Sequence, residues 1–322
     1  MKYSVIVPVY NRPDEVDELL RSLSAQTYKD MEVIIVEDGS TKPCEDIVRR
    51  HAAELRLRYY KKENGGPGPA RNCGARHSAA DYLIFLDSDC ILPQGFLEAV
   101  DEELDREACD AWGGPDRAHE SFTPLQKAIN YSMTSFLTTG GIRGKKKHLG
   151  GKFYPRTFNM GIRSSLFRQL GGFSSMRFGE DIDLGLRIYQ CGARCRLFPE
   201  AWVWHRRRTD FRKFFWQVHS SGRARINLQR RHPGSLKPVH ALPAAFTIGT
   251  FLCLLTAIVA APLCAGLCKL ALLPLLLFSL LVFIDSSVRN RSMRIGLLSI
   301  WASFIQLIGY GTGFLRAWCR DP

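Results

Sequence analysis

The sequence predicts an α/β sandwich on a mostly parallel sheet, followed by an all-α apolar region. Three observations carry this. Over the first two hundred residues, short β-branched runs alternate with amphipathic helical patterns, the signature of a sheet with helices on both faces. Acidic residues cluster just beyond several of those runs, where ligands bind in open α/β sheets. From Ala241 to Lys269 the chain is almost free of charge, and further apolar stretches follow.

The first element is Ser4-Val-Ile-Val-Pro-Val-Tyr10, a β-rich run broken by Asn11-Arg12-Pro13. Pro13 with Asp14 and Glu15 suits a helix's first turn. Val16, Leu19, Leu20 and Leu23 then recur at i, i+3, i+4, i+7, predicting an amphipathic helix to about Gln26. Met31 to Val36 reads as a second strand, running into Glu37-Asp38-Gly39-Ser40. A helix from Cys44 to Leu55 and a short strand from Leu57 to Tyr60 follow. The glycine-rich Asn64-Gly-Gly-Pro-Gly-Pro69 then leads through Ala70-Arg71-Asn72 into a helix toward Ala79.

Asp81 to Leu86 has a buried-strand core and ends in Asp87-Ser88-Asp89, two carboxylates at i, i+2. Such a pair at a strand's carboxyl end suits a hard divalent cation; it also suits a simple turn. No G-x-G-x-x-G follows the first strand and no G-x-x-x-x-G-K-[ST] occurs, so neither a dinucleotide fingerprint nor a P-loop is present.

Gln94 to Leu104 reads as a helix and Ala108 to Trp112 as a strand. Residues 114–152 have weak periodicity, and Gly140 to Lys147 reads as a mobile basic loop. Phe158-Asn-Met-Gly161 leads into a helix over Ser164–Leu170, then Gly171-Gly-Phe173. Gly179-Glu180-Asp181-Ile182-Asp183 opens another helix through Tyr189. Carboxylates in a first turn serve the macrodipole, yet Asp181 also sits where a general base would, if this helix start faces the acidic rim. Val203-Trp204-His205 ends a short strand ahead of three arginines.

The net charge is +13. Residues 241–322 hold +4 of it, and nine Lys/Arg with one Asp lie between Arg206 and Arg231. A basic block beside an apolar tail points to an anionic membrane surface, with nucleic acid as the competing partner. Phe211, Phe214, Phe215 and Val218 share one face of a cationic helix, which fits either an interfacial helix or one packed on the catalytic part. The boundaries expected are a catalytic domain over 1–203, a basic amphipathic interfacial segment over 204–240 and a membrane region over 241–322. Its helices fall at about 241–263, 267–285 and 295–316, a span needing roughly 20 apolar residues. The three arginines between Asp285 and Arg294 place that loop in the cytosol. A third span would put Arg316 and Arg320 outside, against the same rule. None of the ten cysteines forms a C-x-x-C pair, and a reduced, cytosolic catalytic part without disulfides is expected. Met1-Lys2-Tyr3 runs directly into a strand, so no signal peptide is read.

Seven ordered motifs now stand together: Ser4-Val-Ile-Val-Pro-Val-Tyr-Asn11, Val36-Glu-Asp-Gly-Ser40, Gly68-Pro-Ala-Arg-Asn72, Phe85-Leu-Asp-Ser-Asp89, Asn159-Met-Gly161, Gly171-Gly-Phe173 and Gly179-Glu-Asp181. In these the chain resembles the family 2 glycosyltransferases over about residues 3–230. The resemblance implies a GT-A fold and transfer of a sugar from a nucleotide donor to a hydroxyl, with inversion at the anomeric carbon. It implies that Pro8 and Tyr10 border the base, Asp38 hydrogen-bonds it and Arg71 helps hold the nucleotide. Asp87, with Ser88 and Asn159, falls on the donor side. Asp89 would ligate Mn²⁺ or Mg²⁺ bridging the diphosphate, His205 would complete the metal or phosphate site, and Asp181 would deprotonate the acceptor. Two departures stand out. Glu37 occupies the usual first Asp of the Asp-Asp-Gly-Ser motif, and the Gln-x-x-Arg-Trp motif of processive synthases is absent, which argues for one sugar per encounter.

The expected function is thus a metal-dependent transferase at the cytoplasmic (inner) membrane, its catalytic domain in the cytosol. A UDP-sugar is the expected donor and a lipid-linked or cell-envelope glycan the acceptor. Lipids would be met through Arg206–Arg231 and the C-terminal helices. A polyprenyl-phosphate sugar synthase is the alternative; its acceptor is already ionised and needs no base. A nucleic-acid binder would leave the ordered acidic motifs unexplained, so no nucleic-acid partner is expected.

Overall fold

The computed structural model describes residues 1–117, 119, 121–139 and 153–320; the basic loop expected over Gly140–Lys147 lies outside them. In chain order the elements are β1 (Tyr3–Val9), α1 (Pro13–Ser24), β2 (Met31–Asp38), α2 (Glu45–His51), β3 (Leu57–Lys62), α3 (Pro67–His77), β4 (Tyr82–Leu86), β5 (Cys90–Ile91), α4 (Phe96–Arg106), β6 (Ala111–Gly113), β7 (Asp116–Arg117), α5 (Pro124–Thr134), α6 (Phe136–Thr139), β8 (Asn159–Arg163), α7 (Ser164–Gln169), α8 (Glu180–Gln190), β9 (Cys195–Leu197), β10 (Val203–His205), α9 (Phe211–Arg231), α10 (Leu242–Ala260), α11 (Ala265–Asn290) and α12 (Met293–Cys319). They form two compact units, Met1–His119 with Lys146–Arg206, and Glu120–Lys145 with Arg207–Pro322.

The first unit is the α/β part. Its seven-stranded sheet runs β3-β2-β1-β4-β8-β6-β9. All neighbours are parallel except β8, which is antiparallel to both β4 and β6. Successive side chains of a strand point to opposite faces, and two cores result. Val5, Val7, Val33, Ile35 and Ile84 face α1 and α4. Ile6, Ile34, Val36, Leu83 and Phe85 face Ala70 of α3, Phe167 of α7 and Leu184 and Ile188 of α8. Burial on both sides is why these strands read as unbroken apolar runs instead of alternating ones.

The sheet's register brings β1, β2 and β4 to one carboxyl edge. The strand β8, whose Asn-Met-Gly run carries little strand signature, was not foreseen, nor was a second sheet. That sheet runs β5-β10-β7 and pairs His205 with Cys90.

The second unit is helical. The helix α12 packs along α9, and α5, α10 and α11 also pack on α12. The sequence reading kept residues after 114 in the catalytic domain. The structure instead groups α5 with the C-terminal helices, because Ala128, Ile129 and Met133 share a core with Phe214, Val218, Ile295 and Ala302. Phe214 and Val218, candidates for a lipid-facing surface, are thereby buried under protein. Close approach is made possible by glycine: a Cβ on Gly222 would stand 2.1 Å from the Tyr310 carbonyl oxygen, and one on Gly313 2.0 Å from that of His219.

The helices α10, α11 and α12, the first extended by the turn from Pro238, are each long and apolar enough to cross a membrane. Only 17% and 6% of the apolar windows of α10 and α11 are buried, against 44% for α12. The α10–α11 pair therefore exposes an extended apolar surface, of the kind that marks a membrane or protein contact. All ten cysteines are free thiols.

Candidate active site

The carboxyl rim of β1, β2 and β4 carries the acidic motifs, all within the first unit. Gly39 turns the chain out of β2 with φ +72°, and a Cβ there would meet the Asn64 backbone nitrogen at 2.7 Å, so glycine alone fits. Asn11 ties the neighbouring loops together. Its Oδ1 accepts from the Thr41 and Lys42 backbone N–H groups at 2.8 and 2.9 Å. Tyr10 projects from this loop, half exposed, and Pro8 is partly exposed at the end of β1.

Asp38 is buried and fully engaged. Its carboxylate accepts from Gly65 N at 2.9 Å, Gly66 N at 2.8 Å and Lys62 Nζ at 2.6 Å. The residue thus clamps the glycine-rich loop onto β2, in place of standing open to a ligand. Glu37 points into the protein, accepting from Cys44 N at 2.8 Å and Tyr59 Oη at 3.1 Å. Its extra methylene is used to brace the start of α2.

Arg71, on the first turns of α3, is 3% exposed. It donates to Asp87 Oδ1 at 2.6 Å and to Glu180 Oε1 at 3.1 Å, while its buried Nε makes no hydrogen bond among the described residues. Asn72 beside it grips the Gly171-Gly-Phe173 turn through both Phe173 backbone groups, at 2.8 Å each. The three motifs at 68–72, 85–89 and 171–181 are thereby bolted together around one guanidinium.

Asp89 follows β4, and its backbone oxygen accepts from Arg206 N at 3.1 Å as β10 returns beside β5. The second sheet brings the His205 Nε2 to 3.2 Å from Asp89 Oδ1 and 3.9 Å from Asp87 Oδ2, and its Nδ1 to 4.0 Å from Asp116. Phe158 stacks on the ring. Asp89 Oδ2 pairs with Arg12. Burial would raise the Asp89 carboxyl, but His205 and Arg12 outweigh it and hold it well below the usual range.

Asp89, Cys90 and His205 offer ligand atoms within 4.8 Å of one another. Cys90 does not fit a hard cation. Burial pushes its thiol far up, and the thiol, not the thiolate, reaches Phe158 O at 3.4 Å. Asp89 Oδ1 and His205 Nε2 do fit: Oδ1 is buried and not aligned for a hydrogen bond, and an Asp/His donor set suits Mn²⁺ better than all-oxygen Mg²⁺.

Asp181 lies on the first turn of α8, its Oδ2 accepting from Arg156 at 3.0 Å and its Oδ1 from Ile182 N at 2.8 Å. Burial acts to raise this carboxyl, and Arg156 overrides it, lowering it below the ordinary value. For its neighbour Glu180 burial wins, helped by the Asp181 charge, and the carboxyl is pushed up to about 7 in spite of Arg71.

The structure therefore brings Arg71, Asp87, Asp89 and His205 into one constellation, with Glu180 linking it to the Asp181 turn. It does not bring Asn159 to that surface. Asn159 is fully enclosed and donates to Ala201 O at 2.7 Å, so the expected donor contact is corrected to a brace between β8 and the loop before β10. Ser88 is likewise buried. Sequence reasoning missed Arg12, Lys62, Arg156 and Glu180. Glu180 was legible as the neighbour of Asp181 at a helix start; Arg12 and Arg156 carry no signal apart from the fold.

A mixed sheet whose carboxyl rim holds an acidic pair, a buried arginine and a second acidic helix start is the GT-A fold class. Solved structures agree. A mannosyltransferase, PcManGT from Pyrobaculum calidifontis, solved in complex with GDP-Man and Mn²⁺, matches with TM-score 0.61 at 18% identity, over 99% of this chain and 88% of that one. S. aureus TarS 1–349 in complex with UDP-GlcNAc matches with TM-score 0.51 at 22% identity, over 70% and 67%. The profile of Glycosyl transferase family 2 matches residues 4–171, just over half the chain, and the protein belongs to that family. The pre-mycofactocin glycosyltransferase of Mycobacterium tuberculosis is 31% identical over 244 residues, 73% of this chain and 49% of that protein. The chain spans about half or less of the length of the first curated relatives it matches.

Proposed function

We propose that the protein is a membrane-attached, inverting glycosyltransferase that moves one sugar from a nucleotide-diphosphate donor, a UDP-sugar first among them, to a hydroxyl of a lipid-linked or cell-envelope glycan. The observation that carries this reading is the meeting of Asp89 and His205 beside the Arg71–Asp87 pair. Donor complexes of the two fold relatives, with UDP-GlcNAc and with GDP-Man and Mn²⁺, support the donor class.

Tyr10 and Pro8 border the base, and Asp38 shapes its pocket by fixing the glycine loop. Arg71 carries charge to the phosphates, and Asp87 orients Arg71. Asp89 and His205 would hold Mn²⁺ or Mg²⁺, which when bound neutralises charge on the leaving diphosphate. Asp181 takes the proton of the acceptor hydroxyl as its oxygen attacks the anomeric carbon. The bond from that carbon to the diphosphate oxygen breaks, and the nucleoside diphosphate leaves with the electron pair. Attack from the face opposite the leaving group inverts the centre. The α10–α11 pair anchors the enzyme in the cytoplasmic membrane, with the Arg289–Arg294 loop that follows α11 toward the cytosol.

A second reading, a polyprenyl-phosphate sugar synthase, is favoured by Arg156. A cation paired with Asp181 suits a phosphate acceptor, which needs no base.

The test is hydrolysis and transfer with a panel of nucleotide sugars, using the detergent-purified full chain with Mn²⁺ and with EDTA. One donor is expected to release its nucleoside diphosphate only with metal, and Asp89→Ala to abolish release. Absence of both turnover and metal-dependent nucleotide binding by calorimetry would overturn the proposal. Asp181→Asn separates the two readings: a loss of about 10²–10⁴-fold marks a hydroxyl acceptor, and retained turnover marks a phosphate.

A further inference from the structure

In the second unit, the end of α9 meets the end of α12 around a cavity of about 90 Å³ lined by Arg223, Asn227, Arg230, Arg316, Ala317 and Arg320. By comparison, a single water needs roughly 10–15 Å³. Four guanidiniums converge from two helices, and no acid lines the cavity among the described residues. Arg230 has a structural duty, donating to Ala317 O at 2.8 Å at the end of α12. Arg223, Arg316 and Arg320 form no ion pair with any described residue, and all three are exposed.

Capping of helix ends does not account for this charge. Each helix C-terminus is equivalent to about half a negative charge. The two ends together offset about one of the three charges of Arg223, Arg316 and Arg320, leaving about two without a counter-charge among the described residues. The surrounding charge is of the same sign: α9 carries six Lys/Arg and no Asp or Glu.

The level of the cavity identifies the anion. Phe314 and Ala317 on this last part of α12 share a core with Ala244, in the first turn of α10. The cavity thus stands level with the point where the apolar α10 begins, which in a membrane-attached protein is the headgroup layer. Arginine forks match phosphate oxygens, and basic pockets between helices at this level bind phosphate headgroups.

We propose that Arg223, Arg316 and Arg320, framed by Arg230, form a binding site for a phosphate group, presented by an anionic lipid of the leaflet that α10 enters. The site belongs to the second unit, and the Asp89–His205 constellation to the first. Its phosphate chemistry stands independently of glycosyl transfer, and its lipid source rests on the membrane-attached reading.

The test uses the full chain in nanodiscs of phosphatidylcholine, with and without phosphatidylglycerol, and in detergent with inorganic pyrophosphate. Thermal midpoints and lipid retained on purification are the readouts. Phosphatidylglycerol is expected to raise the midpoint. Arg316→Gln/Arg320→Gln and, separately, Arg223→Gln are expected to weaken binding about tenfold or more. Their midpoints in pure phosphatidylcholine should stay unchanged, which shows that they fold. Arg49→Gln/Arg50→Gln, removing the same charge from α2, should keep the full response. A pyrophosphate shift that is lost in Arg316→Gln/Arg320→Gln, with none from phosphatidylglycerol, would overturn the lipid source and leave a soluble phosphate as the ligand. An equal loss in both double variants would reduce the effect to general attraction. No response to either probe would refute the site; the pyrophosphate arm needs only folded protein in detergent, so its outcome stands apart from any failure of glycosyl transfer or membrane attachment.

Discussion

Replacing Arg71 with Met tests whether one buried cation organises the rim. The guanidinium is 3% exposed and bridges Asp87, on the β4 side, to Glu180 at the start of α8. Methionine matches much of its length but leaves Glu180 buried without a partner, and breaking a buried pair this way costs about 3–5 kcal/mol. The cost depends on pH, with a definite sign. In the wild type Glu180 titrates at about 7; without Arg71 its carboxyl rises further. Above pH 7 the variant's native state then holds a proton that both its unfolded state and the wild-type native state have released. Stability falls as pH rises wherever the native state binds more protons, at up to about 1.4 kcal/mol per pH unit. The deficit is therefore greatest at pH 8 and shrinks toward pH 7, below which both native states hold the proton. For a unit of this size about 2–4 °C accompanies each kcal/mol, so melting of the detergent-solubilised chain at pH 8 should fall by about 6–20 °C. Arg71→Met/Glu180→Gln removes the carboxyl that takes up this proton and should regain the pH-dependent part of the loss, up to about 1.4 kcal/mol at pH 8. A variant as stable as the wild type at pH 8, or a double variant no better than the single, would refute the reasoning.

Further outcomes follow from other contacts. Arg156→Gln should move the acid limb of the transfer rate upward by about 1–3 pH units, because Arg156 is the cation that lowers Asp181; an unmoved limb in a pH–rate profile would remove Asp181 from the base role. Gly222→Ala should destabilise the second unit and lower the yield of folded protein, since its Cβ would stand 2.1 Å from the Tyr310 oxygen. Gly249→Ala, with open space around it, should be neutral or better by up to about 1 kcal/mol, and side-by-side melting curves compare the two.

The parallel part of the fold was legible because its strands are buried on both faces and its helices carry a 3.6-residue period. Val16, Leu19, Leu20 and Leu23 are all buried as their spacing predicts. Asp38, Arg71, Asp87 and Asp89 were readable as motif residues near strand ends, and so was their gathering at one edge; Asp181 was readable at its helix start, with its place at that edge left conditional. Their partners were not. Arg12, Arg156 and Asp116 meet Asp89, Asp181 and His205 across long stretches of chain, and no local pattern encodes such pairings. Asn159 was misplaced for the opposite reason. A motif position marks a demand on the residue but does not distinguish a ligand contact from a buried brace. The face of α9 was ambiguous in the same way, since the Phe214–Val218 stripe fits lipid as well as it fits α5 and α12.

The packing of α12 leads to a testable expectation about the number of membrane crossings. Its first turns lie against the last turns of α11, with Ser299 Oγ 2.7 Å from Ser286 Oγ. At Phe304 it reaches the level of Phe246 and Phe278, three rings whose centroids lie 5.1–5.8 Å apart. Beyond that it turns no deeper: Leu307 and Gly311 meet Thr247 and Pro243, in the first turns of α10. The far end of the α10–α11 pair, at Cys264, lies about 20 Å further along those helices at 1.5 Å per residue. Both ends of α12 therefore pack toward the end of the pair where α10 begins and α11 ends, the placement expected if the α10–α11 pair makes two crossings and α12 none. With two crossings, Arg316 and Arg320 would share the side of the Arg289–Arg294 loop, in keeping with the positive-inside rule. Cys264 and Cys319 are native exposed reporters of this arrangement. A membrane-impermeant maleimide applied to intact cells and to inverted vesicles, read out by peptide mass, should modify Cys264 from the outer side and Cys319 from the inner. Labelling of both from the same side would restore the third span and separate the four-arginine cavity from the leaflet assigned to it.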